Sequence, residues 1–336
     1  MKRLITLPLL CIVLLTGSCQ YKSIDEYIQK QYLDGELNGN ILVVRGDTIL
    51  YENSFGIAHP KTKEPLTAAH RFNVGSIYKE FPGVAIMQLF EKGRLKLDDK
   101  VSYYLNDLPV WASSIGIKQL FKYTSGLPKV PWDNYIGSNN PITEELVLND
   151  LRKEELVFEP GSDYLYSNYN PLLLTLIVEK VTGRSFEDYV QEHIFEAAKM
   201  TDSYFAKQTP YKDEKSPAVA FDVDFNLDSY LIQEPKFLMS FTTQDLYQWL
   251  YHLHNHQIIS KESVKLLSER AGAQSPLGVL EWDNDTLEVH HHHGESGNYE
   301  AVIRYYPKDD LYIVILKNQK YENVSDMADN IHRILR

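Results

Sequence analysis

The chain has 336 residues and a formal net charge of −12 at pH 7, with 46 acidic against 34 basic residues. That balance argues against nucleic acid and against electrostatic attachment to anionic lipid. Cysteine occurs only at Cys11 and Cys19, so the fold must stand on its apolar core, for which the length is ample.

Residues 1–18 read as a secretory signal rather than as part of the fold. Lys2 and Arg3 precede an apolar run from 4 to 15, too short to span a bilayer comfortably, and Gly17 and Ser18 follow. Cys19 comes directly after Leu15-Thr16-Gly17-Ser18. This resembles a bacterial lipoprotein signal, whose cysteine becomes the lipidated first residue. The leucine stands one place further from the cysteine than that pattern has it, and ordinary cleavage leaving a free cysteine is the alternative. On the first reading, residues 19–336 are a single domain, exported to the bacterial cell envelope and held to a membrane by lipid on Cys19. Removal of Lys2 and Arg3 takes the charge from −12 to −14. No later stretch is apolar enough for a membrane helix.

Residues 23–37 fit an amphipathic helix with Ile24, Tyr27, Ile28 and Leu33 on one side. Runs at 40–44 and 48–55 flank Arg45-Gly46-Asp47 as a hairpin. From Val84 to Phe90 the chain is apolar nearly all round, which predicts a helix buried between layers and stopped by Gly93. Ser76 and Lys79 stand three apart at its head, on one face and about 5–6 Å apart at Cβ. A serine hydroxyl is a poor nucleophile until a base takes its proton. A lysine can be that base only with a lowered pKa, which burial and the positive end of a helix both favour. Taken alone, Ser-x-x-Lys is common, and a chance surface pair is the plain alternative.

Thr124-Ser125-Gly126-Leu127-Pro128 reads as a loop and 142–156 as a helix capped by Thr143. After the turn at Phe158-Glu159-Pro160-Gly161, Pro171 opens a second buried helix that Gly183 ends. Ser185 caps a helix over 186–195. Residues 201–234 form a long surface excursion at the rim of a cleft. Thr243 opens a helix to 254, and Ser260 caps another to 268. β pattern returns at 286–293, 300–306 and 311–316, with a hairpin turn at Pro307-Lys308-Asp309-Asp310, and a helix over 326–335 closes the chain. The fold class is α/β (α+β). One antiparallel sheet is built from both ends, about 38–102 and 273–336, and flanked by helices; a mainly helical region, about 103–272, is inserted in it.

Three segments then align with a family. Ser76-Ile77-Tyr78-Lys79, Tyr166-Ser167-Asn168 and His292-His293-Gly294 resemble the active-site motifs of the serine β-lactamase and penicillin-binding-protein superfamily, nearest its class C and esterase-like branch. Leu97-Asp98-Asp99-Lys100-Val101, the loop at 124–128 and the turn at 158–161 fit the same pattern. The resemblance covers about residues 38–335. Each motif is weak alone; together, in order and at family-like separation, they are strong. The resemblance implies an acylated Ser76, Lys79 as general base, and Tyr166 relaying protons and activating water. It implies that Asn168 bonds the substrate amide or Lys79. Backbone N–H groups of Ser76 and of Glu295, beside Gly294, would form the oxyanion hole. Tyr166 would need a depressed pKa, which a Lys79 cation could supply.

The chain departs from the family in several places. Pro82 should kink the first buried helix just after Lys79. Phe237-Leu238-Met239 replaces paired glycines and should narrow the cleft. Tyr123 stands where histidine is common. His292 replaces the lysine that faces the substrate carboxylate in true β-lactamases, and the loop from 294 to 297 is one residue short. Two decoys are set aside. The histidines at 290–293 and at 252, 254 and 256 lack the carboxylate of a His-Glu-x-x-His motif, so no metal and no cofactor is expected. Gly294-Glu295-Ser296-Gly297 lacks the final glycine of a nucleophile elbow at Asn298. The reading is therefore a monomeric serine hydrolase acting on a small ester or amide, a small-molecule or peptidoglycan-like substrate. The alternatives are a D-alanyl-D-alanine carboxypeptidase or β-lactamase, and a penicillin-fold sensor module that does not turn over.

Overall fold

The computed structural model of the chain describes residues 21–136, 140–209, 216–228, 231–233 and 236–336. The signal over 1–18 and the lipidation expected at Cys19 lie outside the described residues. Six strands form the main sheet: β1 (Gly39–Arg45), β2 (Thr48–Phe55), β3 (Val279–Asp283), β4 (Thr286–Ser296), β5 (Tyr299–Tyr306) and β6 (Leu311–Lys317). Their order is β2-β1-β6-β5-β4-β3, antiparallel throughout. The two chain ends therefore meet at the β1–β6 pair, where Leu42 faces Val314.

β1 and β6 are apolar without alternation because both of their faces are covered. Leu42, Val44, Tyr312, Val314 and Leu316 belong to the larger core, beneath the helical region. Ile41, Val43, Leu311, Ile313 and Ile315 belong to a second core on the other face. That second core is closed by α1 (Ile24–Leu33), through Ile24, Tyr27 and Ile28, and by the C-terminal helix Val324–Ile334, through Met327 and Ile331. α1 begins where Ser23 Oγ accepts from Glu26 N–H, an N-cap that the sequence placed one residue inside the predicted helix.

The larger core is organised around α2 (Glu80–Glu91), which is buried from Glu80 to Leu89. α2 packs on α3 (Tyr169–Thr182), and α4 (Thr243–His254) lies across β1 and β6. Phe81 of α2 stacks on Phe241 and on Trp249 of α4, with ring centroids 5.2 and 4.6 Å apart.

The predicted segments differ from the structure in instructive places. β3 was not legible as a strand because it is a half-exposed edge with no continuous apolar face. β4 continues past His293 to Ser296, since pairing with β5 carries it through Gly294. The helix expected over 142–156 begins only at Glu144 and ends at Leu151, with Thr143 as its cap as expected. The segment 186–195 is α-helical to Val190 and then widens to π geometry. Pro82 does not interrupt a helix. It is the third residue of α2, in the first turn, where its missing N–H has no intrahelical acceptor to lose.

Ile315 lies on the sheet face away from the candidate site and is fully buried. Ile315→Ala should lower the unfolding free energy by about 2–5 kcal/mol, measured by denaturant titration. A loss under about 1 kcal/mol would mean that this second core closes without it.

Candidate active site

Ser76 and Lys79 do not open an α-helix. They lie on a five-residue 3-10 turn, Gly75–Lys79, that leads into α2. In 3-10 geometry residues i and i+3 eclipse, so the pairing inferred for a helix face holds more strictly here. Lys79 Nζ is 2.8 Å from Ser76 Oγ. The Tyr166 hydroxyl is 2.9 Å from the same oxygen. Lys79 lies 4.7 Å above the Tyr78 ring centroid and 5.0 Å above that of Tyr166.

The turn is held by close backbone packing against β4. Gly75 has φ +51, and a Cβ there would lie 2.3 Å from Glu295 O and 2.4 Å from Glu295 N. A Cβ on Gly294 would lie 2.0 Å from Val74 O and 3.0 Å from Ser76 N. Only glycine fits either position. The contact brings the backbone of Ser76 beside that of Glu295, the two N–H donors expected of an oxyanion hole.

Burial sets the protonation states. Desolvation lowers Lys79 from its ordinary value to about 7; burial, rather than a helix terminus, is the cause. Desolvation raises Tyr166 to about 12, with hydrogen bonds to Ser76 and Gln274 pulling back only part of the rise. This reverses the expectation of a depressed phenol. A Lys79 that sheds its proton near pH 7 offers no standing cation to hold a phenolate.

A cavity of about 650 Å³ opens over Ser76 and Lys79. Asn168, the residue before α3, lines it, and Asn168 Oδ1 is buried with no hydrogen-bond partner. Of the two partners expected for it, that oxygen does not bond Lys79. Phe237 and Leu238 line the cavity where the family has glycines, and the Phe237 ring touches Tyr78 and Trp132, each at 6.0 Å. Tyr123 is buried with its ring 4.8 Å from that of Tyr166. The predicted excursion over 201–234 does reach the rim, through Ile232.

The third motif differs most from expectation. His292 is buried and does not line the cavity; its Nδ1 lies 2.7 Å from Glu80 Oε1. The hydrogen bond expected to go to a substrate is spent inside the protein. His290 and His292 share the buried face of β4, and His291 and His293 the other. Lys320 lines the cavity and is the nearest thing to a substitute cation, but Glu295 at 2.5 Å and Glu322 at 3.3 Å already hold it. Among the described residues no three His, Cys, Asp or Glu side chains converge as a metal set. Glu80, Gln274 and Lys320 were missed in the sequence. Only Glu80 left a signal there, as a charge at the head of an otherwise apolar helix.

The family model described as Beta-lactamase matches residues 27–336. Protein flp of Staphylococcus aureus (strain MW2) is 27% identical over 339 residues, which cover 95% of this chain and 67% of that one. A penicillin-binding protein of Bacillus subtilis (strain 168) is 30% identical over 252 residues, 68% of this chain and 54% of the relative. Among solved structures, the penicillin binding protein from Bacillus halodurans superposes with a TM-score of 0.77 at 22% identity, covering 90% of this chain and 98% of that one.

The backbone contact yields a test. Gly294→Ala should slow covalent labelling at position 76 by about a hundredfold while the protein stays folded, since displacing the Ser76 turn by even 1 Å spoils the attack geometry. Labelling at the wild-type rate, read by intact mass against time, would show that the turn does not depend on this contact.

Proposed function

The chain belongs to the Beta-lactamase family and is a serine hydrolase of it, and we propose that it cleaves a small ester or amide through an acyl-enzyme on Ser76. One observation carries this reading. Ser76 Oγ is held between Lys79 Nζ at 2.8 Å and the Tyr166 hydroxyl at 2.9 Å, with the lysine at about 7. A buried amine that is substantially neutral near pH 7 can take the serine proton. Oγ then attacks the carbonyl, and the N–H groups of Ser76 and Glu295 receive the oxyanion. Tyr166, kept as a neutral phenol, is the proton carrier. It hands a proton to the leaving group and is reprotonated by the Lys79 ammonium; it later relays one from the attacking water to Lys79, which returns it to Ser76 Oγ as the acyl group departs. The orphaned Asn168 Oδ1 is a ready acceptor for a substrate N–H.

The substrate side favours a group without a carboxylate. Penicillins and D-alanyl-D-alanine peptides present a carboxylate that lysine meets in enzymes with a third-motif lysine. Here burial lowers the His292 imidazole and the Glu80 bond only partly offsets it, so the ring is neutral at pH 7.5 with its Nδ1–H committed. Lys320 is engaged by two carboxylates. Phe237, Trp132 and Leu238 add an apolar wall. A sensor module that acylates without turnover would still need Lys79, but would have no use for a phenol placed to relay a proton from the attacking water.

We place the mature protein, a monomer from residue 19 onward, in the cell envelope on a lipid carried by Cys19. No helix of the described residues is long and apolar enough to cross a membrane.

Three outcomes are expected. A fluorophosphonate should label Ser76 alone. Ser76→Ala should abolish labelling and Ser296→Ala should not, and the labelling rate should rise with pH through about 7 as Lys79 loses its proton; an adduct on Ser296 defeats the assignment. For a matched substrate pair with and without a carboxylate, kcat/KM should favour the form without it by about tenfold at pH 8, because Lys320 on the cavity wall is already held by Glu295 and Glu322 and offers the carboxylate no charge-assisted bond. A strong carboxylate preference at pH 8 would refute this. Finally, Cys19→Ser should move the protein from the membrane pellet to the soluble fraction, and an unchanged pellet would remove the anchor.

A further inference from the structure

Glu80 follows Lys79 directly and is fully buried, the one charged side chain among the buried residues of α2. Three donors converge on its carboxylate. Trp249 Nε1–H reaches Oε2 at 2.5 Å, and His290 Nε2 and His292 Nδ1 reach Oε1 at 3.2 and 2.7 Å. His254 Nε2 on α4 extends the chain to His290 Nδ1 at 2.7 Å. Burial would raise the Glu80 carboxyl, but its charge interaction with His290 and the bonds from His290 and His292 outweigh that and hold it at about 2. Glu80 is therefore ionised and can only accept.

That fixes His292. Its Nδ1 carries the hydrogen, so Nε2 at the ring tip carries the lone pair. Nε2 is buried with no hydrogen-bond partner. His292 and Gly294 share one face of β4, and Gly294 packs on the Ser76 backbone, which puts the ring beside the Gly75–Lys79 turn. The charge of Lys79 is felt at His292. Among the described residues Lys79 forms no ion pair of its own. The titratable groups facing His292 are Lys79 and Glu80 from the turn and α2, and His290 on its own strand, with His254 of α4 behind His290.

We propose that Glu80 is a positioning residue for the general base, acting through His292. By taking the Nδ1–H it turns the His292 lone pair, with the buried carboxylate behind the ring, toward the side of Lys79. When the Ser76 O–H bond breaks and the proton passes to the Lys79 amine, the new ammonium forms on the side of that lone pair while the oxygen electron pair goes to the substrate carbonyl. A neutral histidine in the place of the family's lysine thus assists the base instead of the substrate. The inference rests on the acyl-enzyme reading above.

The test compares wild type, Glu80→Gln, Glu80→Asp and His292→Phe by fluorophosphonate labelling from pH 5.5 to 9, with folding checked by circular dichroism. Glu80→Gln should lower the plateau rate by about tenfold or more and move the midpoint of the pH profile downward, because the His292 lone pair that favours the ammonium is no longer held toward it. Glu80→Asp should restore part of both. The Glu80→Gln/His292→Phe double variant should be no slower than the worse single variant. A folded Glu80→Gln with an unshifted midpoint overturns the proposal, even if its rate falls, since a merely structural role would scale the rate alone. A wild type that fails to label at all would instead refute the acyl-enzyme reading. Should Glu80→Gln not fold, nitrogen-15 NMR of the wild-type histidines decides the point: His292 protonated at Nδ1 and bare at Nε2 supports the proposal, and the opposite tautomer overturns it.

Discussion

The whole active site depends on one backbone contact, the seating of β4 at Gly294–Glu295 against the 3-10 turn Gly75–Lys79. The two segments can approach this closely only because each has a glycine where a Cβ would overlap the other's main chain. The contact joins the two ends of the chain. The turn follows the N-terminal strands, and β4 belongs to the C-terminal ones, so the site exists only once β1 has paired with β6. The sheet buried on both faces is what makes that pairing firm enough to hold a catalytic geometry.

Around that contact, burial does most of the electrostatic work. The same desolvation that lowers Lys79 to about 7 raises Tyr166 to about 12, because in each case it disfavours the charged form. A lysine that is charged in water becomes a largely neutral base, and a phenol is kept a neutral acid, on either side of one hydroxyl. Glu80 keeps a full charge at this depth because three N–H donors are aimed at it. The histidine run that first suggests a metal is half explained by that need: His290 and His292 are donors to a buried carboxylate.

The cavity carries the substrate question. The proposed substrate, an uncharged ester or amide with an apolar body, rests on the cavity's aromatic wall, its orphaned Asn168 oxygen and its neutralised Lys320. A ligand carboxylate would find acceptors and apolar rings where it needs cations.

The sequence by itself determined the architecture and the pairing of Ser76 with Lys79. Alternation and apolar runs located five of the six main strands, and local capping chemistry placed Thr143, Ser185 and Ser260 at helix starts, because caps and strand faces are short-range features. Ser76 and Lys79 were legible for the same reason, being three residues apart. What the sequence left open was set by contacts between distant segments. The direction of the Tyr166 shift depends on how deeply α3's leading segment is buried against Tyr123. The orientation of His292 depends on a carboxylate 212 residues away. Motif spacing can say that a histidine follows a strand into the site. Only the tertiary structure, which puts Glu80 under that strand, decides that the ring turns inward and which nitrogen bears its proton.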